Sequence, residues 1–327
     1  MAKIISPPEI QDDIDSFMRS WEDTDTEYIT ANTSGSTGKP KEIKLLKSDM
    51  LHSAMATNIR FGLDSSSCML LPLSSSYIAG KMMIVRAIAA GCVLYAEKPS
   101  SYPVQGKYPR IDLLPIVPAQ AQSLIDRPYL AQNVTNIIIG GAPLHPSTES
   151  ALISAGYNAF ATYGMTETCS HVALRKLGGD IFKAMPGIAF GTNRDSCLTI
   201  HCTDGSYSWN SIETNDIVEL HGDTGFIWRG RRDFVINSGG IKIFPEEIER
   251  ILAHYLDSDF YIVGTPHPKW GEAVTLVIAD NCMPTDEILG ICRKMLPRYW
   301  IPSNIVITSH IHRTASGKII RKRPDDL

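Results

Sequence analysis

The sequence carries no C-x-x-C pair, no apolar run long enough for a bilayer and no large excess of charge, and each absence removes a class of protein. Its seven cysteines, an odd number scattered from Cys68 to Cys292, argue against a disulfide framework and against a zinc ribbon, so a reduced, cytoplasmic home is expected. The longest apolar passage, MMIVRAIAAGCVLYA, is interrupted by Arg86 and Gly91 and is too short to span a membrane, so no transmembrane segment is expected. It reads as a buried helix running into a strand. The opening residues, MAKIISPPEIQDD, hold one lysine and no apolar run of signal-peptide length. A formal charge of -4 offers no general attraction to nucleic acid or anionic membranes. Internal repeats and low-complexity tracts are missing too.

What is present is the composition of an ordinary globular protein, 43% hydrophobic and 20% charged, with room in 327 residues for more than one domain. After Pro7 and Pro8, the residues Ile10, Ile14, Phe17, Met18 and Trp21 recur at helical spacing and predict an amphipathic helix. Ser48 is placed to cap a second helix carrying Leu51, Met55 and Ile59, ahead of a short strand at CMLLPL. A helix near residues 80 to 89 and strands at CVLYAE, NVTNIIIGGAPL and NAFATYGMTET continue the alternation. That rhythm predicts an α/β fold with a mostly parallel sheet covered by helices and with ligands at the strand ends. From about residue 192 the helical pattern stops, and CLTIHC, DIVELHG and FIWRGRRDFVI read as strands of a β-rich subdomain. Beyond it a compact α+β unit is expected, with Pro245 opening a helix whose first turn holds Glu246 and Glu247. The chain therefore divides into residues 1–232 and 233–327, with the boundary at Asp233.

One loop stands out. TSGSTGKPKEIKL, residues 33–45, packs hydroxyls, two glycines and two lysines together. Gly35 and Gly38 are too close for a nucleoside-triphosphatase loop, and Pro40 follows Lys39 where that pattern needs Ser or Thr. Ile43 and Leu45 alternate around Lys44, so the chain leaves the loop as a strand. Thr33, Ser34, Ser36 and Thr37, the two glycines, Lys39 and Lys41 supply what a polyphosphate needs. Taken alone, the loop reads equally well as a flexible polar hairpin.

This loop, YGMTET at 163–168, GRRDFVINSGG at 230–240 and RTASGK at 313–318 occur in the order and texture of the adenylate-forming enzymes, which include acyl- and aryl-CoA ligases. The chain resembles that family from residue 33 to near its C-terminus. The resemblance implies a large N-terminal α/β domain with a β-rich subdomain and a small mobile α+β C-terminal domain. It also implies two steps: a carboxylate attacks the α-phosphate of ATP, giving acyl-adenylate and pyrophosphate, and coenzyme A then takes the acyl group as AMP leaves. ATP, Mg²⁺ and coenzyme A follow as implied ligands. By resemblance, Thr166 meets the α-phosphate and Glu167 helps hold Mg²⁺. Gly140, Gly141 and Ala142 face the adenine, Tyr163 and Gly164 lie beside the nucleotide, and Asp216 and Arg231 bind the ribose. Lys318 is the implied catalytic lysine, Asp233 the hinge, and Gly239 and Gly240 the lining of a pantetheine tunnel. Asn215 stands where the family usually has glycine. The loop lies nearer the N-terminus than in most relatives, so part of their N-terminal region is expected to be absent and a non-catalytic nucleotide-binding relative is an alternative. The joint presence of Glu167, Asp216, Arg231 and Lys318 speaks for an enzyme.

LPLSSSYIAGKMMIVRA falls where relatives line the acyl pocket, with Tyr77 at the position of an aromatic residue or histidine. Arg86 follows Gly80 by six residues and shares a helical face with Met82 and Met83. A guanidinium in apolar surroundings either snorkels to water or waits for a carboxylate. This spacing and YGMTETCSHVALR resemble the o-succinylbenzoate-CoA ligases of menaquinone biosynthesis. Their substrate is an aromatic dicarboxylic acid: the succinyl carboxylate is activated, and Arg86 is expected to hold the other, with His171 and Lys81 as further candidates near the pocket. The segment offers no acidic residue to meet the amine of an amino acid. A CoA ligase for another carboxylic acid remains the open alternative.

Overall fold

The computed structural model describes residues 2–32, 42–279, 283–314 and 319–326. Thr33, Ser34, Gly35, Ser36, Thr37, Gly38, Lys39, Lys41 and Lys318 lie outside the described residues. The chain opens with β1 (Lys3–Ile5) and α1 (Pro8–Glu22), a helix that starts on a proline and turns Ile14 and Phe17 inward. β2 (Tyr28–Asn32) and β3 (Glu42–Leu46) pair antiparallel on either side of the hydroxyl- and lysine-rich segment, the strand–loop–strand expected there. Next come α2 (Lys47–Phe61), β4 (Cys68–Leu71), α3 (Ile78–Ala90) and β5 (Val93–Ala96). β1, β5 and β4 form a parallel three-stranded sheet. Along β4 the side chains alternate, Met69 and Leu71 entering the larger core with α1, α2 and α3, and Leu70 entering a second core.

β6 (Leu114–Ile116), α4 (Pro118–Ile125), β7 (Ile137–Ile139), α5 (Pro146–Ser154) and β8 (Ala159–Gly164) keep the alternation, with β6, β7 and β8 parallel. The chain then changes mode. β9 (His171–Lys176), β10 (Phe182–Ala184), β11 (Ile188–Thr192), β12 (Cys197–Cys202), β13 (Ser211–Leu220) and β14 (Gly225–Arg231) pair antiparallel and extend the same sheet to nine strands. Its order is β11-β12-β13-β14-β10-β9-β8-β7-β6. The β-rich part is thus continuous with the parallel strands and begins at His171, not near residue 192. The first four residues of β9 are all buried, so it shows none of the alternation that marks a strand with one face in water.

A 3-10 turn, Arg232–Phe234, interrupts FIWRGRRDFVI. After it come β15 (Ile236–Ser238), β16 (Ile241–Ile243), α6 (Pro245–Leu252), β17 (Phe260–His267), β18 (Gly271–Ala279), α7 (Thr285–Met295) and β19 (Asn304–Thr308). Their strands make a five-stranded sheet, and the core beneath it draws only on residues that follow the turn, Ile236, Ile248, Leu276 and Ile288 among them. No helix among the described residues is long and apolar enough to cross a membrane.

α2 departs from the expectation in two ways. Leu46 is its N-cap and makes no side-chain cap bond, so Ser48 lies inside the helix and does not cap it. Met55 and Ile59 are 45% and 69% exposed, whereas Asp49, Ser53, Thr57 and Asn58 are buried. A helix that turns polar groups inward needs polar partners there. Those partners belong to the site.

Candidate active site

β8 ends at Gly164, where its antiparallel neighbour β9 comes so close that a Cβ would lie 2.4 Å from the Ser170 carbonyl oxygen and 2.6 Å from His171 Cα. Only glycine fits. The chain then makes a short 3-10 turn, Thr166–Thr168, which presents Thr166 and Glu167 at the strand end. Thr168 is the buried strut of this turn: its hydroxyl accepts from the Met165 N–H at 3.1 Å and donates to the Ser170 carbonyl at 2.8 Å. Cys169, next in line, has φ 62° and ψ -45°, an uncommon backbone for a residue with a side chain. Burial pushes its thiol up to about 12, so it stays protonated. Glu167 makes no ion pair with any described residue.

Beside the turn, Asp216 on β13 is buried opposite Arg231 on β14. The Tyr163 phenol donates to Asp216 Oδ2 at 2.6 Å, and the Trp228 indole donates to Oδ1 at 3.1 Å. Burial, reinforced by the Asp216 charge, holds Tyr163 far above the usual phenol range, so it remains a donor. Arg231 Nη1 stands 3.8 Å from Asp216 Oδ1, an ion pair without a direct hydrogen bond. Asn215 accepts from Arg232 Nη2 at 2.8 Å, pointing away from Asp216. At the end of β7, a Cβ on Gly140 would lie 2.7 Å from Thr162 Oγ1, and Gly141 has φ 91°. Gly140, Gly141 and Ala142 therefore offer an open backbone next to β8.

The remaining group surrounds Arg86, which is 2% exposed on α3. Its Nη2 donates to Ser170 Oγ at 3.0 Å, Nη1 rests 3.5 Å from Met83 Sδ, and Nε is buried without a partner among the described residues. It forms no ion pair with any described carboxylate. Burial lowers the guanidinium to about 10, which leaves it charged at neutral pH. Ser170 Oγ lies 2.7 Å from Ser53 Oγ on α2. The Thr57 hydroxyl donates to the Ser53 carbonyl at 3.0 Å, so the 3.2 Å contact between Thr57 Oγ1 and His171 Nε2 places the imidazole proton on Nε2. Burial, then the Arg86 charge, holds His171 well below the usual histidine range. A cation among neutral hydroxyls and a neutral imidazole, with no acid paired to it among the described residues, is suited to an anion.

The family model for AMP-binding enzymes matches residues 8–191, more than half of the chain, and the model for the AMP-binding enzyme C-terminal domain matches residues 247–318. The chain belongs to the AMP-binding enzyme family. A solved acyl-CoA synthetase (AMP-forming)/AMP-acid ligase II-like protein from Dyadobacter fermentans is 31% identical, with a TM-score of 0.62 over 93% of this chain and 90% of that one. The 2-succinylbenzoate–CoA ligase of Listeria monocytogenes is 28% identical over 89% of this chain and 68% of its own length. That of Bacillus cereus is 25% identical over the same shares. An o-succinylbenzoate coenzyme A synthetase from Bacillus subtilis, solved in complex with ATP and magnesium ion, has a TM-score of 0.77 at 20% identity over 91% of this chain and 69% of that one. The shared fold is that of the adenylate-forming enzymes, an N-terminal α/β domain followed by a small C-terminal domain.

In this AMP-binding enzyme, the fold gathers Tyr163, Gly164, Thr166, Glu167, Asp216 and Arg231 around the end of β8, with Arg86 and His171 directly beneath the same turn. Gly80 is held against the Ser74 carbonyl, 2.2 Å from where a Cβ would sit. Lys81 donates to the Thr30 carbonyl at 3.3 Å, on the strand leading into residues 33–41, and Tyr77 is 61% exposed at the N-cap of α3. Neither is bonded to Arg86 or His171. Gly239 and Gly240, with φ 57° and 84°, form the turn between β15 and β16, where the Gly239 N–H donates to the Trp270 carbonyl at 2.8 Å. Sequence reasoning missed Thr168, Trp228, Ser170 and the α2 pair Ser53 and Thr57. The α2 pair carried a signal: Asp49, Ser53 and Thr57 recur every four residues, a polar stripe opposite the apolar residues expected to face inward.

Proposed function

We propose that this chain is an AMP-forming acid–CoA ligase that activates 2-succinylbenzoate as its acyl-adenylate, releases pyrophosphate, and passes the acyl group to coenzyme A with release of AMP, the ligation used in menaquinone biosynthesis. The observation that carries the choice of acid is Arg86, a buried guanidinium without a carboxylate partner, bonded to Ser170 only four residues beyond Thr166. With the ring carboxylate of the acid on Arg86, the succinyl carboxylate would reach toward the turn at Thr166 and the α-phosphate. Thr166 would donate to that phosphate, and Gly140, Gly141, Ala142, Tyr163 and Gly164 would shape the adenine side. Asp216, with a lone pair left on each oxygen, and Arg231 would take the ribose hydroxyls. Lys318 would stabilise the charge that moves onto the α-phosphate, and Thr33, Ser34, Gly35, Ser36, Thr37, Gly38, Lys39 and Lys41 would hold the outer phosphates.

Glu167 is the carboxylate for Mg²⁺. The described residues hold no cluster of three acidic, histidine or cysteine side chains, which fits an ion carried mainly by phosphates and water with one protein carboxylate. Bound there, Mg²⁺ would offset phosphate charge as the acid attacks. We place the domain boundary at Asp233, between residues 1–232 and 233–327, supported by the separate core beyond the turn, and assign Gly239 and Gly240 to the pantetheine passage. Six described cysteines are free, which supports a cytoplasmic setting. The test is pyrophosphate release from Mg-ATP across a panel of carboxylic acids, with and without coenzyme A. Selectivity for 2-succinylbenzoate, with its thioester detected by mass, is the expected result; release with other acids alone would keep the chemistry and discard the substrate, and no release with any acid would discard the enzyme.

A further inference from the structure

The group around Arg86 is backed by a loop distant in sequence. Residues 203–210 connect β12 to β13 and reach back to α2, where buried Asp49 accepts from the Ser208 N–H at 2.8 Å and the Ser208 hydroxyl at 2.5 Å. This clamp brings in Tyr207, only 7% exposed, its ring stacked on Trp209 at 4.8 Å and set edge-on to His52 at 6.2 Å. Tyr207 thus packs on α2 beside His52, the residue before Ser53, whose hydroxyl leads through Ser170 to Arg86. A guanidinium can only donate, so Ser170 accepts from Arg86 while sharing a further hydrogen bond with the Ser53 hydroxyl. Two more polar atoms of this wall, Trp209 Nε1 and His52 Nδ1, are buried without partners among the described residues. Buried polar atoms of this kind call for a hydrogen-bonding partner.

We infer that Tyr207 is a specificity-determining residue, its phenol donating to the same ring carboxylate that Arg86 holds, so that the loop at 203–210 completes the acid site from the β-rich half of the sheet. This rests on the assignment of Arg86 to that carboxylate. The experiment compares kcat and KM for 2-succinylbenzoate and for benzoylpropionate, the same acid without its ring carboxylate, in the wild type and in Tyr207→Phe. Phenylalanine keeps the stack on Trp209, and a thermal midpoint checks folding. The preference of Tyr207→Phe for the dicarboxylate should fall about tenfold or more, through KM rather than kcat, as expected for one lost donor to a charged group. A preference equal to the wild type's, whether both acids suffer or neither does, overturns the role of Tyr207 and leaves Arg86 standing. A wild type indifferent to the ring carboxylate overturns both.

Discussion

Arg86 is charged, 2% exposed, and offered only a serine hydroxyl and a thioether among the described residues. Such a charge destabilises the unliganded fold and is relieved when a carboxylate arrives. Arg86→Ala should therefore weaken use of the dicarboxylate by roughly 2–5 kcal/mol while ATP affinity by calorimetry holds. Equal loss of both would remove Arg86 from the acid site. His171 makes a second prediction through its protonation. Its folded-state pKa lies well below the usual 6.5, so below that pH the unfolded chain binds a proton that the folded one refuses. Stability is lost as pH falls under 6.5, by about 1.4 kcal/mol per pH unit for one such group. His171→Gln should flatten that part of the profile in denaturant titrations; an unchanged slope would mean His171 is not held neutral.

At the scale of elements, α2 shows how a site inverts a rule. Its apolar residues Met55 and Ile59 face outward, and Ser53, Thr57 and Asn58 face in, because the helix must supply Ser170 and His171 with hydroxyls and donate Asn58 Nδ2 to the Arg86 carbonyl at 3.0 Å. Met55→Gln with Ile59→Gln should shift the thermal midpoint by no more than about 0.5 kcal/mol in stability, the usual surface effect. Asn58→Leu, which removes the buried side-chain bond to the Arg86 carbonyl, should cost about 0.5–1.5 kcal/mol. The reverse ranking would show that the inward face is apolar after all. β9 was illegible for a related reason, since a strand buried on both faces carries no period of two.

Across the whole molecule, three contacts join α6 to the sheet on the other side of the turn Arg232–Phe234. Glu247 Oε1 pairs with Arg229 Nη1 at 2.6 Å, Glu246 Oε1 accepts from the Arg231 N–H at 3.2 Å, and Arg250 pairs with Asp180 at 3.4 Å. A rotation about Asp233 must break them, so they belong to one orientation of the small domain. If the two half-reactions use two orientations, Lys318→Ala should abolish acyl-adenylate formation yet still convert supplied acyl-adenylate and coenzyme A to thioester. Parallel loss of both in a folded variant would end the two-orientation scheme. The sequence by itself determined the alternation of helices and strands through β8 and the motifs that mark the family, because periodicity, turn chemistry and motif spacing are local properties of the chain. Only the tertiary structure decided that antiparallel strands continue the parallel sheet, that α2 turns its polar face inward, and that Ser208 clamps Asp49 from more than a hundred residues away. These are packing outcomes, set by which surfaces meet; local spacing offered at most the polar stripe of α2, not the partners that would meet it.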